Sequence, residues 1–452
     1  MPDLLIAVGG TGQHVALAVS RLVFLGALPK MELAVVDADD SSKFSSDLRT
    51  FGETVRAGYT EHPLINGDKI YPPFDKAAKL DPQFHELFLT PYANLLEREI
   101  FELCFEEGSA TISVKDGMFG RPSVGATIFA HNKESQLGPV FERARQASQI
   151  FVAGSLVGGT GAGIIHQLVK TLHSEEKGKR IYGLIFLRWF QVPSGKEKQT
   201  ISDDSLDRNM RYGLDYFFKD TRPLLAFSLL IGQPEHPTAD EIRPISLEAG
   251  KTEEKKHYFH LMAAYGILRL PAIAVTEQPD GSIYASAFES VAQMYEEKWD
   301  QGKPLHWYVN RGAFVKEILD YVGSRKFKEE ILQSFKLFGK PDNVGRGLHE
   351  TIARYDKSQR KTVVEEITKT WSLLSKQYEF SLTWLAEVLK PLPDSFYLDK
   401  YRRVRENDDA KVKEIQTVWA KAPLLGEHLF TSPETSPEVA RKFHEMLVES
   451  FA

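Results

Sequence analysis

Cysteine is almost absent from this sequence, since Cys104 is the only one among 452 residues. One thiol can form no internal disulfide and no multi-cysteine zinc or iron–sulfur site, so the sequence predicts a reducing, cytoplasmic setting. The neighbours of Cys104 are apolar, namely Phe101, Leu103 and Phe105. We therefore expect Cys104 to be a buried core thiol and not a nucleophile.

The chain also lacks an excess of positive charge, because 56 basic residues stand against 62 acidic ones, a net charge of −6. No general attraction to nucleic acid or anionic lipid is expected. No apolar run approaches the roughly 18 residues that span a bilayer, and Asp3 precedes the first apolar run where a secretory signal would be basic. The sequence predicts a globular protein with no membrane segment.

Alternating strand and helix patterns fill the first 285 residues. Apolar runs predict strands at 4–8, 33–36, 150–153, 183–187 and 224–231. Helical spacing of apolar residues follows at about 15–25, 161–173 and 205–218. This alternation predicts the α/β class, with a parallel sheet covered by helices on both faces. Residues 41–145 are interpreted as an elaborated connection with polar loops and one amphipathic stretch, 84–105.

After about residue 285 long amphipathic patterns replace the β-branched runs, so we expect a mostly helical C-terminal domain over 286–452. One apolar stripe is spaced by three and four residues: Val363, Ile367, Trp371, Leu374, Tyr378, Leu382, Leu385 and Leu389. Such a stripe packs within the protein or binds a partner. Arg402, Arg403 and Arg405 lie among acidic residues and indicate a solvated helix face.

Two glycine-rich segments each follow a predicted strand. The first, Gly9-Gly10-Thr11-Gly12, is followed one strand later by Asp37, and alone it would suggest a dinucleotide fold in which Asp37 binds a ribose. The second is Gly158-Gly159-Thr160-Gly161-Ala162-Gly163. Glycines leave backbone N–H groups open to anionic oxygens, so two such segments favour phosphate binding. Neither segment ends in the Gly-Lys-Ser/Thr of a Walker loop.

Residues 155–163, Ser-Leu-Val-Gly-Gly-Thr-Gly-Ala-Gly, resemble the tubulin signature Ser-Leu-Gly-Gly-Gly-Thr-Gly-Ser-Gly, with Val157 and Ala162 as departures. Residues 9–14 and 36–39 resemble the first and second nucleotide loops of tubulin and FtsZ, and residues 120–125 the third. The chain thus resembles a divergent, bacterial member of the tubulin/FtsZ superfamily. The resemblance covers about residues 1–270 and implies a GTP-binding domain over 1–285, with its central helix near 254–268.

The resemblance implies GTP or GDP as ligand, with Mg²⁺ as the accompanying metal. It implies a nucleotide site built from these residues: Gly9, Gly10, Thr11, Gly12, Gln13, His14, Asp37, Asp39, Gly120, Arg121, Gly158, Gly159, Thr160, Gly161, Ala162, Gly163, Arg188, Asn209 and Phe259. The first segment would contact the α and β phosphates and the second the β and γ phosphates. Asp37 and Asp39 would approach the metal or the sugar.

Base recognition and hydrolysis depart from the family's pattern. Asn209 is a candidate for the guanine edge, but Phe259 stands where tubulin has a base-binding asparagine. The family hydrolyses GTP when the next subunit supplies an acidic loop, and the sequence offers only Glu277 and Asp280, without the family's spacing. GTPase activity therefore stays open, and no catalytic residue is assigned.

Two histidine pairs, His166/His173 and His257/His260, have helical spacing but no nearby third ligand, so structural or surface roles are expected. Three functional readings follow. The leading one is a GTP-binding, tubulin-like protein that self-associates head to tail and engages a protein partner through its C-terminal helices. The alternatives are an NAD(P)-dependent enzyme with a dinucleotide fold, and a nucleotide-bound scaffold without hydrolysis.

Overall fold

The computed structural model describes residues 3–24, 28–29, 31–37, 94–105, 118, 120–190, 203–232, 257–276, 282–286, 307–308, 381, 384 and 388. The strands are β1 (Asp3–Val8), β2 (Met31–Val36), β3 (Ile150–Ser155), β4 (Ile181–Phe186), β5 (Phe227–Ile231), β6 (Ser282–Ser286) and β7 (Trp307–Tyr308). The helices are α1 (Gly9–Phe24), α2 (Leu95–Cys104), α3 (Pro122–Gln136), α4 (Gly138–Gln146), α5 (Gly159–Glu175), α6 (Asp203–Tyr216) and α7 (Tyr258–Thr276). A π-helical turn, Phe217–Thr221, and a 3₁₀ turn, Arg222–Leu224, follow α6.

The strands form one parallel sheet in the order β2-β1-β3-β4-β5-β6-β7. The chain moves from β1 outward to β2, then crosses to β3 on the other side of β1 and continues in that direction. The strand order therefore reverses between β1 and β3. Open α/β sheets bind ligands at such a switch point, beyond the carboxyl ends of the strands.

Helices cover both faces of the sheet. Leu4, Ile6 and Val8 of β1 lie in one core cluster with apolar residues of α3, α4 and α5. Successive side chains of a strand point to opposite faces, so Leu5 and Ala7 face the other way, where Gly12 of α1 packs against Ala7. α7 packs against α1 on that second face. The predicted α/β class with a parallel, doubly covered sheet is confirmed.

Two predictions for the long connection need correction. Residues 122–146 form α3 and α4, where the sequence was interpreted as loop. The apolar residues of α3 are few, and small residues dominate its contact with α5: a Cβ on Gly163 would lie 2.4 Å from the Pro122 carbonyl oxygen and 2.6 Å from the Ala126 nitrogen. Helices that approach this closely need small residues, which carry little hydrophobic signal.

Cys104 is exposed, so the prediction of a core thiol is wrong. Most of α2 around it is exposed, and Phe101 is its one described residue that is buried. Phe101 is buried and packs against Phe105 with ring centroids 4.6 Å apart, whereas Leu103 is exposed. Proximity in sequence on a helix does not place residues on one face.

The central helix extends further than the sequence indicated. Residues 254–256 lie outside the described residues, and α7 continues through Pro271 to Thr276, eight positions past the predicted end. Proline removes a helical hydrogen bond, yet Pro271 lies within this helix. The buried Ile267 and Leu270 continue the core-facing side up to the proline.

Most of the predicted helical domain, 286–452, lies outside the described residues, as do the arginines at 402, 403 and 405. β7 extends the sheet beyond residue 285. Ser381, Trp384 and Val388 are helical and buried, and the Arg21 guanidinium of α1 lies 5.3 Å from the centre of the Trp384 ring. This part of the C-terminal region therefore packs against α1. The domain boundary itself stays a prediction.

Candidate functional site

The two glycine segments meet at the switch point of the sheet. β1 leads into α1 and β3 leads into α5, and the two strands are neighbours. A Cβ on Gly9 would lie 3.0 Å from the backbone nitrogen of Gly161, so the segments are in backbone contact. Gly9 has a φ of +69°, a conformation that favours glycine. The sequence predicted two phosphate-type loops, and the structure brings them together.

The amino-terminal ends of α1 and α5 make this edge of the sheet electropositive. Neither first turn contains an acidic residue. The N-cap of α5 is Gly158, which has no side chain to cap the helix. The first N–H groups of a helix have no partner within the helix and carry its positive dipole end. Two such ends side by side are an arrangement that favours an anion such as a phosphate group.

Gly158 differs from the other glycines of its segment. A Cβ on Gly159 would lie 2.4 Å from the Met118 Cβ, and one on Gly161 would lie 2.6 Å from the Ser155 carbonyl oxygen. These glycines, like Gly163, are therefore required by packing within the protein. A Cβ on Gly158 would meet no atom of the described residues within 4 Å. The space in front of Gly158 is open, and it is where a ligand can approach the loop.

The loop before α5 is shaped by its own side chains. The Ser155 hydroxyl accepts a hydrogen bond from the Val157 N–H at 3.1 Å, a local turn that serine favours. Thr160 and Ala162 are buried in the first turn of α5. Serine in the signature thus has a structural role that the sequence pattern alone did not show.

The third segment lies beside the second. Gly120 has a φ of +74°, and the Arg121 N–H donates to the Met118 carbonyl oxygen at 2.8 Å. Arg121 is the N-cap of α3, and a Cβ on Gly159 would lie 2.9 Å from the Arg121 nitrogen. The backbone of Arg121 thus lies beside the second segment, and its side chain is half-buried. Met118 was not singled out from the sequence, because a methionine in a turn carries no motif.

Asn209 of α6 joins the second and third segments. Its Nδ2 donates to the Gly120 carbonyl oxygen at 2.7 Å and to the Val157 carbonyl oxygen at 3.5 Å. Arg188, which follows β4, forms an ion pair with Asp207 of α6 at 2.6 Å. Both predicted site residues thus hold loops at the sheet edge in place.

Two side chains on the face of the sheet that α7 covers form hydrogen bonds with the first glycine segment. The Trp189 indole N–H donates to the Thr11 hydroxyl at 3.4 Å, and the His14 Nδ1 donates to the Gly10 carbonyl oxygen at 2.8 Å. Sequence reasoning did not assign Trp189 to the site. Its position directly after a strand, at the carboxyl edge of the sheet, is the signal that could have found it.

Asp37 and Gln13 pair at the end of β2. Both are buried, and the Gln13 Nε2 donates to the Asp37 Oδ2 at 2.5 Å. The pair connects the amino-terminal half of α1 to the end of β2. Asp39 lies outside the described residues, as do Glu277 and Asp280, the two acids considered for hydrolysis.

Histidines and aromatic rings fill the space between α1 and α7. His14 and His260 stack with ring centroids 5.0 Å apart, and Trp189 packs edge-on against His260 at 4.9 Å. Phe259 is fully buried and packs against His257, with centroids 4.2 Å apart. The ring of Phe259, predicted to lie at the base site, is thus part of the core. Within the described residues, no group of three or more His, Cys, Asp or Glu could hold a metal ion.

Burial lowers the pKa of two histidines. The pKa of His260 lies well below its usual value of 6.5, first because of burial and then because of the nearby His14, His257 and Arg21. Burial, with a smaller effect of Lys170, lowers the pKa of His166 to about 4, and its Nδ1 pairs with the Thr221 hydroxyl at 2.7 Å. Both imidazoles are therefore neutral at pH 7. His173, the other member of that predicted pair, is exposed.

The fold and the site define an open α/β protein with two glycine-rich helix starts side by side at its switch point. Among solved structures the chain is similar to CetZ from Methanosaeta thermophila strain DSM 6194, at 16% identity and a TM-score of 0.28, covering 51% of this chain and 46% of that one. It is also similar to CetZ2 from Haloferax volcanii, described as a GTPgS-bound protofilament, at 15% identity and a TM-score of 0.31, covering 61% and 58%. The chain spans about half the length of these structures.

Both of these proteins are tubulin/FtsZ-like, the superfamily that the glycine segments resemble. No protein-family model matches the chain, and no curated protein matches it. In the part of the chain that the structure describes, no helix is long and apolar enough to cross a membrane.

Proposed function

We propose that this chain is a tubulin-like protein that binds GTP or GDP, with Mg²⁺, at the switch point between β1 and β3. The observation that supports this most directly is the contact of two glycine-built helix starts, Gly9 against Gly161, at one electropositive edge. The first segment, Gly9–His14, would contact the α and β phosphates. The second, Gly158–Gly163, would enclose the β and γ phosphates, with Arg121 beside it.

The choice of guanine rests on the resemblance of residues 155–163 to the tubulin signature, whereas the anion site rests on geometry. The direct test is calorimetric titration of the purified protein with GTP, ATP and NAD, each with Mg²⁺. We expect GTP to bind with the highest affinity. Preferential binding of NAD would overturn the proposal in favour of the dinucleotide enzyme.

The dinucleotide alternative has one specific observation in its favour. Asp37 lies at the carboxyl end of β2, next to β1, where an acid binds ribose in dinucleotide folds. Its carboxylate, however, is buried and bonded to Gln13. An Asp37→Asn variant tests the dinucleotide hypothesis, in which this carboxylate binds the ribose and its removal should weaken NAD binding.

The glycines of the loop differ in what a substitution would test. Bulky residues at Gly159 or Gly161 would collide with Met118 and Ser155, so lost binding there could reflect misfolding. Gly158→Val is the informative variant, because the backbone at Gly158 is extended and no part of the described structure lies within 4 Å of the new Cβ. We expect unchanged thermal stability and at least about tenfold weaker nucleotide binding. Gly138→Ala, at another open glycine, is the control and should change neither.

We further propose that nucleotide binding promotes head-to-tail self-association, as the resemblance implies. Light scattering and sedimentation with a slowly hydrolysed GTP analogue test this. A persistent monomer at high concentration would support the scaffold alternative. Phosphate release measured in the same samples would show whether hydrolysis, if it occurs, depends on assembly.

The C-terminal region, 286–452, is proposed to engage a protein partner. The helix face that carries Ser381, Trp384 and Val388 is buried, so a partner would use other surfaces of this region. Cross-linking of the full chain in a cell extract, followed by mass spectrometry, tests this. Partner cross-links confined to residues 1–285 would contradict it.

A further inference from the structure

Asn209 of α6 contacts two of the segments that surround the anion site. Its Nδ2 lies 2.7 Å from the carbonyl oxygen of Gly120 and 3.5 Å from that of Val157. Both neighbours are acceptors, so the nitrogen of the amide, and not its oxygen, must face them. The orientation of the side chain is thus fixed by chemistry.

The donor capacity of this amide is used within the protein. A side-chain amide nitrogen carries two hydrogens, and here each has a backbone carbonyl to bind. To read guanine by both donating and accepting, Asn209 would have to release one of these carbonyls. The site favours a structural connection between the loops over contact with the base.

The same face of α6 approaches the loop at a second point. Gly213 lies one turn after Asn209, and a Cβ there would lie 3.0 Å from the carbonyl oxygen of Leu156. The absence of a side chain at Gly213 thus lets the helix approach the backbone just before Gly158. The neighbouring Met210 sulfur accepts a hydrogen bond from the Arg188 N–H at 3.4 Å. α6 therefore contacts three loops at the carboxyl edge of the sheet.

We propose that Asn209 is a positioning residue, which fixes residues 120–121 and 156–158 so that their backbones present one preformed anion site, and that it does not recognise the base. This inference rests on the proposed phosphate site. Replacing Asn209 should therefore lower the affinity equally for ligands that share the phosphates but differ in the base.

The test compares the wild type with Asn209→Ala in titrations with GTP, ATP and inorganic tripolyphosphate. Loss of one hydrogen-bonding group should lower the affinity for each of these ligands by a similar factor, roughly five- to tenfold. A loss confined to GTP would overturn the inference and assign Asn209 to the base. Arg208→Ala is the control, because that side chain is exposed and bonds to Ser205 on α6 itself, and it should change no affinity.

Hydrogen exchange of the ligand-free proteins provides a readout that does not depend on nucleotide. Asn209→Ala should speed amide exchange at residues 120–121 and 156–158, and leave β4 and β5 unchanged. Unchanged exchange at those loops would overturn the inference even if nucleotide binds. If the wild type binds none of the three ligands, the proposed function fails, while faster loop exchange would still support the positioning role.

Discussion

The imidazole ring of His14 stacks on that of His260, with centroids 5.0 Å apart and planes 22° from parallel. His14 lies one turn into α1 and also bonds the Gly10 carbonyl of the first glycine segment. His260 lies near the start of α7. The stack thus connects the first segment with the long helix that covers this face of the sheet. Besides His14, the charged or titratable groups that lower the pKa of His260 are Arg21 on α1 and His257, directly before α7.

We predict that the stack makes the protein sensitive to acid. The pKa of His260 is lower in the folded protein than the 6.5 of an ordinary histidine. As the pH falls below about 6.5, the unfolded chain takes up a proton that folded His260 does not, so the free energy of unfolding decreases. His260→Phe keeps a ring in the stack and removes this titration. Its loss of stability between pH 7 and pH 5, measured by urea denaturation, should be smaller than that of the wild type.

A second prediction concerns His166 in α5. Because burial lowers its pKa to about 4, it should contribute a further loss of stability between pH 6.5 and about 4. A shift of that size corresponds to about 3 kcal/mol. His166→Gln keeps a polar group near the Thr221 hydroxyl and should remove most of this dependence. His173→Gln, at the exposed histidine of the same helix, is the control, and an equal effect there would contradict the assignment.

A third prediction concerns the buried pair Gln13 and Asp37. Gln13→Glu would place two carboxylates in hydrogen-bond contact away from water, so we expect it to destabilise the fold by at least about 3 kcal/mol. Combining it with Asp37→Asn restores one donor and one acceptor. The double variant should regain much of the stability in thermal unfolding. If it is no more stable than Gln13→Glu alone, the hydrogen bond does not determine the effect.

Local signals in the sequence were enough to predict the first five strands and the two glycine segments. An apolar run followed by glycines indicates a buried strand that ends in a tight turn, and this pattern depends on neighbours in sequence. The contacts that complete the site join distant residues instead. Trp189 and Thr11 are 178 positions apart, and Asn209 and Gly120 are 89 apart.

Small-residue packing was the other feature that the sequence patterns did not predict. α3 approaches α5 through Gly125 and Gly163, so part of the glycine signal reflects helix contact and not ligand binding. Only the Cβ geometry separates Gly158, which is open, from the glycines that packing requires. A motif written as letters does not contain that distinction.

The last prediction concerns the contact between the C-terminal region and α1. The Trp384 ring is buried, and the Arg21 guanidinium lies 5.3 Å from its centre, a cation–π distance. Trp384→Ala would remove a large buried ring and should lower the free energy of unfolding by about 3–5 kcal/mol. Trp384→Phe keeps an aromatic face for Arg21 and should lower the free energy of unfolding less.

Limited proteolysis of Trp384→Ala shows which part of the chain the contact stabilises. If residues 1–285 resist proteolysis as well as in the wild type, the contact does not stabilise the proposed nucleotide-binding domain. Equal destabilisation of both parts would show that α1 and the C-terminal helix unfold together.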